Sequence, residues 1–381
     1  RTGSLPLAMQ LTQLRVMMVR GNTEAATDIL QRLQKDSAQA PALFRYDVLS
    51  EASFLALRKG EVTRHLALLQ EAEQLLDPEN PEQAAKWLRH RANLATALGN
   101  NQRFAESAAL LQSLVEEGRK QLGTNHPRII EFASNAALML WQSGRPTEGW
   151  QLLASFGETE IAALDLLQQS IYRQIRTRAG LSTGQARDEV LGQSVAALEA
   201  ARQVLGKDSS RLNEYYSVLA WALYEYGETA LAVPLAERAQ EMSAGRLVNA
   251  AEVSDLLLEL AALEQTVQGR PDPGFLARKS FECDRVEYQV LRAHLLGDRD
   301  ALAEHTHVPR DCAAETSARL QALGLQWEAR GQITALDRSD SPLLRRLGFG
   351  TPKAEDSAPL DPAMRARIQA LVDEIKTVQQ P

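Results

Sequence analysis

Aromatic residues, long apolar runs and an excess of positive charge are scarce or absent in this chain of 381 residues. Aromatic residues make up 5% of the sequence and β-branched runs are rare, which favours helices over strands. Because no run of about 20 apolar residues occurs, no segment is predicted to span a membrane, and no signal peptide is recognisable. The net charge of −7 argues against a general nucleic-acid binder, because phosphate contacts need clustered Lys and Arg.

The chain does have enough apolar material for a large core, since 44% of its residues are hydrophobic. A single compact core rarely grows beyond about 250–300 residues. The length therefore predicts either two domains or a solenoid, in which each unit contacts only its neighbours. The first residue is Arg1 rather than Met, so we expect a piece of a longer protein or a processed product.

A turn between two helical segments recurs with a period close to 42 residues. The turn positions are Gly60, Gln102, Gly144, Gln185, Gly227 and Gly269, with successive spacings of 42, 42, 41, 42 and 42. Small or β-branched residues stand five positions after the turn at Ser107, Gly149, Val190 and Ala232, and Ala stands twelve after it at Ala72, Ala197 and Ala239. Glycine suits the end of a helix that needs a left-handed residue, so each unit is predicted to be a helix, a tight turn and a second helix.

The flanks of the chain are less regular than its middle. Gly21 lies 39 residues before Gly60, and the turns expected at Gly297 and Gly331 come after shorter intervals. Asp361 followed by Pro362 is a typical start of a final helix over residues 361–378. The predicted parts are a helix pair in 1–40, regular repeats in 41–282, shorter irregular helix pairs in 283–336, and a linker with a C-terminal helix in 337–381. The predicted fold is all-α, a right-handed α-solenoid of about 8–9 stacked antiparallel helix pairs with a closing helix.

The turn glycine, the small residue five positions later and the alanine twelve positions later resemble the tetratricopeptide repeat. The 42-residue period and the segment Leu122-Gly-Thr-Asn-His-Pro127 resemble the longer kinesin light chain type, which is also common in bacterial signalling proteins. The resemblance implies that the first helix of each pair lines a concave groove, with an Asn nine residues before the turn holding the backbone of a bound peptide. Asn93 and Asn135 stand at that position.

The same phase predicts which other side chains face this groove. Tyr, Trp and Arg among them are residue types that often dominate interface energetics. The alternative interpretation is that Trp221 and Tyr224 pack between helices and that the two asparagines bond neighbouring repeats. The remaining predicted groove residues are Arg89, Glu131, Tyr172, Arg176, Glu214, Trp221 and Tyr224.

The two cysteines leave three interpretations open. Cys283 and Cys312 form a disulfide that implies an oxidising, periplasmic or extracytoplasmic compartment, or they are buried thiols in a cytoplasmic protein. The third interpretation is a zinc site formed with His305 and His307, although the ligand spacing is untypical.

No sequence motif favours catalysis, a metal or a cofactor. Gly180-Leu-Ser-Thr-Gly184 matches the hydrolase pattern G-x-S-x-G, but a helix is predicted before it, where the hydrolase elbow needs a strand. A phosphate-binding loop and the H-E-x-x-H motif are absent from the sequence.

The sequence therefore predicts a non-enzymatic module that binds a protein or an extended peptide. Its expected role is the regulatory or sensor part of a larger bacterial signalling protein, such as a kinase or a transcriptional regulator. The alternatives are a scaffold for a multiprotein assembly and an enzyme with an unrecognised site. The sequence predicts no cofactor and no nucleic-acid partner, and it indicates neither the compartment nor the oligomeric state.

Overall fold

The protein is an all-α helical-repeat protein whose chain divides into two compact units, Arg1–Gly144 (unit 1) and Arg145–Pro381 (unit 2). The computed structural model describes residues 6–123, 126–243, 257–258, 261, 325–328, 332–335 and 359–378. Each unit is described by itself below. The division at Gly144 falls inside the range that the repeat period treats as one domain.

Unit 1 is a stack of antiparallel helix pairs. Each first helix packs on its second helix, and each second helix packs on the first helix of the following pair. A short 3₁₀ helix, Pro81–Gln83, leads into the third pair, and the Asn80 side chain accepts the Glu82 amide at its start. The helices are α1 (Leu7–Val19), α2 (Thr23–Asp36), α3 (Ala42–Arg58), α4 (Val62–Glu73), α5 (Ala84–Asn100), α6 (Phe104–Leu122) and α7 (Pro127–Gln142).

Unit 2 continues the pattern after a short insertion, the helix α9. The first helix α10 packs on α8 and on its own second helix, and α12 does the same with α11 and α13. Its helices are α8 (Pro146–Ala154), α9 (Glu158–Ala162), α10 (Leu166–Ser182), α11 (Arg187–Leu205), α12 (Asn213–Glu225), α13 (Thr229–Ser243) and α14 (Pro362–Val378), and the 3₁₀ helix Ser210–Leu212 precedes α12.

The turns between paired helices share one backbone geometry. At Gly60 the amide of the left-handed residue donates to the carbonyl three residues back, and the next amide donates to the carbonyl five back, which is a Schellman cap. Gly227 repeats this pattern, and Gln102 adopts the same conformation with φ of 60° although it has a Cβ. The prediction that Gln102 replaces the turn glycine is confirmed.

The turn of the α10–α11 pair lies one residue earlier than predicted. Gly184, not Gln185, has the positive φ, and the Gln185 amide donates to the Gly180 carbonyl five residues back. Gly144 and Gly184 are therefore 40 residues apart, and Gly184 and Gly227 are 43 apart. A left-handed residue is least strained when it is glycine. The apparent 41-residue spacing hid two unequal intervals.

The small residues of the repeat lie where helices approach closely. Ala72, Ala197 and Ala239, twelve residues after the predicted turns, are buried. Ser107, five after Gln102, is also buried, and its hydroxyl donates to the Ala95 carbonyl over 2.6 Å. Larger side chains at these positions would push neighbouring helices apart.

The described residues between 283 and 336 form strands, so the prediction of irregular helix pairs there is wrong for them. The strand β1 (Leu325–Glu328) pairs antiparallel with β2 (Gln332–Ala335), with Leu325 opposite Ala335. Ile333 and Thr334 are β-branched, and Gly331 between the strands favours a turn, so these residues suit a hairpin better than a helix.

The predicted C-terminal helix is present as α14. The Asp361 side chain accepts the Met364 amide over 2.9 Å, as expected of an N-cap. The helix packs against α11 and α13, the second helices of two successive pairs. None of the helices among the described residues is long and apolar enough to cross a membrane.

Candidate binding face on the first helices

The first helices of unit 1 present two columns of polar side chains at the 42-residue period. One column consists of Asp47, Arg89 and Glu131, and the other of Glu51, Asn93 and Asn135. Each column places one residue on each of the first helices α3, α5 and α7. We call the surface carrying these columns the first-helix face of unit 1.

Asn93 and Asn135 have amide groups that remain available for a ligand. Both residues are half-buried, and neither side chain makes a hydrogen bond to any part of the chain that the structure describes. A primary amide offers one acceptor and two donor hydrogens, which match the C=O and N–H of a peptide group. The alternative that these asparagines bond neighbouring repeats has no support among the described residues.

Arg89 and Glu131 are exposed and lie one turn before the asparagines. No ion pair involves either side chain within the described residues. The Arg89 charge acts on the neighbouring Tyr46, whose pKa is nevertheless raised, chiefly because the phenol is buried. These two side chains supply one positive and one negative group at the edge of the face.

On α3, sequence reasoning missed the two residues that continue the columns. Asp47 accepts an ion pair from Lys86 of α5 at 2.9 Å, and Glu51 accepts one from Arg15 of α1 at 2.6 Å. The Lys86 ammonium also lies 5.0 Å from the centre of the Tyr46 ring. The same 42-residue period would have identified both acids, which tie three successive first helices together.

An apolar element borders the polar columns of unit 1. Phe54 of α3 is 39% exposed, and its ring centre lies 6.3 Å from that of His65. Thr96 and Leu138 occupy the equivalent positions 42 and 84 residues later. The face therefore offers amides, a charge of each sign, and one exposed aromatic ring.

Two predicted groove residues of unit 2 lie in its core instead, so the prediction that they face a partner is wrong. Tyr172 is 1% exposed, and its hydroxyl donates to the Leu153 carbonyl over 2.7 Å. Tyr224 is 0% exposed and belongs to the main apolar cluster of unit 2. The alternative interpretation, packing between helices, is correct for Tyr224.

Arg176 was also predicted to face the groove, and this prediction is wrong for the same reason as Tyr172. Its guanidinium stacks over Trp150 at 4.9 Å and pairs with Glu189 of α11 at 2.8 Å. Both predictions were counted from Gln185, and an error of one residue rotates a helical position by about 100°. Burial and these contacts fix Arg176 as a structural link between α8, α10 and α11.

Counting from Gly184 assigns different residues of α10 to the first-helix face of unit 2. Ile171 and Arg178 lie 43 residues before Glu214 and Trp221, their equivalents on α12. Ile171 is 37% exposed. Burial lowers the pKa of Arg178, and the negative charge of Glu214 opposes that shift, which indicates that the two groups lie near each other.

Glu214 and Trp221 do reach the surface of α12. Glu214 is exposed, and Trp221 is half-buried with its indole N–H donating to Glu225 Oε1 over 2.6 Å. The Trp221 ring centre is 6.1 Å from that of Tyr224 below it. The hydrogen bond between Ser170 Oγ and Tyr215 Oη, 2.9 Å long, joins α10 to α12 under this surface. An aromatic ring held in this way can receive an apolar side chain without a large entropic cost.

The hydrolase-like motif lies at a helix end. Ser182 is the last residue of α10, and its hydroxyl donates to the Arg178 carbonyl over 3.2 Å. The segment before it is helical, so the strand-to-helix elbow that the motif requires is not formed. The residues of the disulfide and zinc alternatives, Cys283, His305, His307 and Cys312, lie outside the described residues.

Comparison with known proteins identifies the fold but no family. No protein-family model and no curated protein sequence matches the chain. The apo form of the quorum sensor NprR from B. thuringiensis has a similar structure, with a TM-score of 0.53 and 12% identity over 98% of this chain and 89% of that one. A crystal structure of NprR with its cognate peptide NprX gives a TM-score of 0.49 and 13% identity over 79% of this chain and 85% of that one. At this level of identity, the first of these likenesses shows the helical-repeat fold alone.

Proposed function

We propose that the chain is a sensor module that binds an extended peptide or protein segment on its first-helix face. The observation that carries the proposal is the pair of unengaged amides at Asn93 and Asn135, at equivalent positions of two successive first helices. A backbone-binding amide on each helix would hold a partner in one direction without reading its side chains. The exposed Arg89 and Glu131 would add charge selectivity.

The spacing of the helices sets the size of the ligand. Neighbouring first helices lie about 8–10 Å apart in stacked pairs. An extended chain rises about 3.3 Å per residue, so the three helices α3, α5 and α7 match roughly six residues. We therefore propose peptides of at least this length as ligands, rather than single amino acids.

The biological setting of the proposal is wider than its structural support. NprR is described as a quorum sensor, and one of its structures contains a peptide. A shared fold does not transfer a function, so the proposal depends on the asparagines and not on that likeness. The resemblance to the repeats of bacterial signalling proteins extends it to a regulatory part of a larger kinase or transcriptional regulator.

The test is a peptide-array screen followed by affinity measurement. The full chain is screened against arrayed random octapeptides, and the strongest binders are fluorescein-labelled and titrated by anisotropy. The double variant Asn93→Ala/Asn135→Ala is expected to bind about 10- to 100-fold more weakly, because each lost hydrogen bond is worth about 0.5–1.5 kcal/mol.

The matched control removes two amides from second helices. Gln70→Ala/Gln112→Ala changes α4 and α6 and is expected to leave the affinity unchanged. Equal affinity of the asparagine variant and the parent chain, with circular dichroism showing both folded, would refute recognition by Asn93 and Asn135. Binders that respond to the control variant instead would place the site on the second helices.

A further inference from the structure

The C-terminal helix α14 lies on a surface of unit 2 that is distinct from the first-helix face. The surface, which we call the α14 seat, is formed by the second helices α11 and α13. Four apolar residues of α14 at positions i, i+3, i+4 and i+7 are buried there: Ile368, Leu371, Val372 and Ile375. This spacing is that of an amphipathic helix bound in an apolar groove.

Charges fix the direction of α14 on its seat. Near its first turns, Arg365 pairs with Glu228 at 2.5 Å and Arg367 with Glu199 at 2.7 Å. Near its other end, Glu374 pairs with Arg202 and Lys207. The seat is therefore acidic beside the start of the bound helix and basic beside its end. A helix laid in the opposite direction would meet like charges.

Contacts outside the helix continue this order. Arg187, the first residue of α11, donates to the Pro359 carbonyl just before α14 over 2.7 Å. Arg202, one residue short of four turns further along α11, donates to Glu374 Oε1 over 2.7 Å. The two helices therefore run parallel, and the seat reads both the polarity and the register of its occupant.

Arg202 makes the empty seat unfavourable. Its side chain is 12% exposed, its Nε atom is buried without a hydrogen-bond partner, and Glu374 is the carboxylate with which its guanidinium pairs. A buried cation that loses its partner carries an uncompensated desolvation cost. Removal of α14 would expose this charge together with the apolar floor, so the seat requires an amphipathic helix with an acid near its end.

We propose that the α14 seat is a second interaction surface, which recognises an amphipathic partner helix and which α14 keeps closed in cis. The expected partner has the pattern of α14: basic residues in the first turns, apolar residues at i, i+3, i+4 and i+7, and an acidic residue at i+6. The surface belongs to the second helices, so this proposal does not rest on peptide binding at the first helices.

The length of the intervening chain makes the closed state reversible. Ser243, at the end of α13, and Pro359 are separated by more than one hundred residues in sequence. A tether of that length gives an effective concentration of about 1 mM or below. An external helix with comparable contacts competes when the cis contacts are weakened.

The test uses the full chain with a substitution in α14. Ile368→Asp/Val372→Asp places two charges in the apolar seat and is expected to release α14. A fluorescein-labelled synthetic peptide of residues 359–378 is then titrated by anisotropy. The peptide is expected to bind this variant at least 10-fold more tightly than the parent chain, whose seat is occupied. Glu374→Gln, a milder change that keeps the apolar stripe, is expected to give a smaller gain in the same direction.

A charge exchange tests the recognition itself. Adding Arg202→Glu to the released chain is expected to abolish binding of the parent peptide, and a peptide carrying Glu374→Arg is expected to restore it. A dimer of the parent chain that the peptide dissociates would also support the seat, with α14 of a second copy as occupant. Equal binding of the peptide to parent and released chains, or no binding when hydrogen exchange shows α14 released, would overturn the proposal.

Discussion

His90 of α5 is a polar side chain enclosed completely in unit 1. It is 0% exposed, and its ring meets that of Tyr46 edge to face, with ring centres 5.4 Å apart. The Leu69 carbonyl approaches the imidazole, but neither ring nitrogen has a partner in hydrogen-bond geometry within the described residues. Burial, the largest cause, lowers the pKa of His90 to about 4, while the Leu69 carbonyl acts in the opposite direction. The imidazole is therefore neutral at pH 7.

We expect unit 1 to lose stability as the pH falls from 7 to 5. The unfolded chain takes up the His90 proton near pH 6.5, whereas the folded chain does so only near pH 4, so acid favours unfolding between these values. The loss at pH 5 is about 1–2 kcal/mol. Burial lowers the pKa of His65 as well, which adds to the effect in the same direction. Hydrogen exchange of α3–α5, corrected for intrinsic rates, measures the change.

The matched variant is His90→Leu, which fills the same space without a titratable group. It is expected to remove most of the pH dependence while keeping stability at pH 7, because an unpaired buried polar group is replaced by an apolar one. A variant with the full pH dependence of the parent chain would assign the effect to other groups.

At the scale of single residues, the accuracy of sequence reasoning depended on the phase of each helix. Asn93 and Asn135 were placed correctly because their turns, Gln102 and Gly144, were identified correctly. Tyr172 and Arg176 were misplaced because the sequence Thr183-Gly184-Gln185 offers two turn positions, and the wrong one was chosen. Tyr224 had the right phase. Its burial depends on the helices packed around it, which the sequence pattern does not specify.

At the scale of the helix pair, the turn is the element that fixes the repeat. Gln102 adopts φ of 60° at the position where Gly60 has 76° and Gly144 has 77°. A residue with a Cβ pays about 1–2 kcal/mol for a left-handed conformation. We expect Gln102→Gly to raise the free energy of unfolding by up to about 1 kcal/mol, because the extra freedom of glycine in the unfolded chain offsets part of the relief.

The control is the reverse change at an equivalent turn. A Cβ at Gly60 would meet no atom within 4 Å, so the cost of Gly60→Ala arises from the backbone alone and is expected to be about 1 kcal/mol. Urea unfolding followed by circular dichroism compares the two variants. If both substitutions changed stability in the same direction, the left-handed turn would not be the cause.

Elements were predicted best where one local signal decided them. The helix pairs followed from the 42-residue period, and α14 followed from Asp361 and Pro362 at its start. The period could not reveal that α14 lies beside α11 and α13, because that position depends on pairs such as Arg202–Glu374 between residues distant in sequence. The hairpin of β1 and β2 was missed because Gly331 was assigned to a helix pair.

At the scale of the whole molecule, stability in a stacked repeat is expected to be local. Each helix pair of a solenoid gains most of its stability from its immediate neighbours. The described helices follow this rule, since α4 packs on α3 and α5, and α11 packs on α10, α12 and α14. The two compact units divide at Gly144, so the core of each is built from its own helices.

We therefore expect cavities in the two units to have separate effects. Leu69 of α4 and Leu198 of α11 are both 0% exposed, and replacing either with Ala is expected to cost about 2–5 kcal/mol locally. Leu69→Ala should lower the hydrogen-exchange protection of α3–α6 and leave α11–α13 unchanged, and Leu198→Ala should do the opposite. Loss of protection in both units from either substitution would show that the chain unfolds as one cooperative body, in which case a ligand on the first helices of unit 1 would also stabilise the α14 seat.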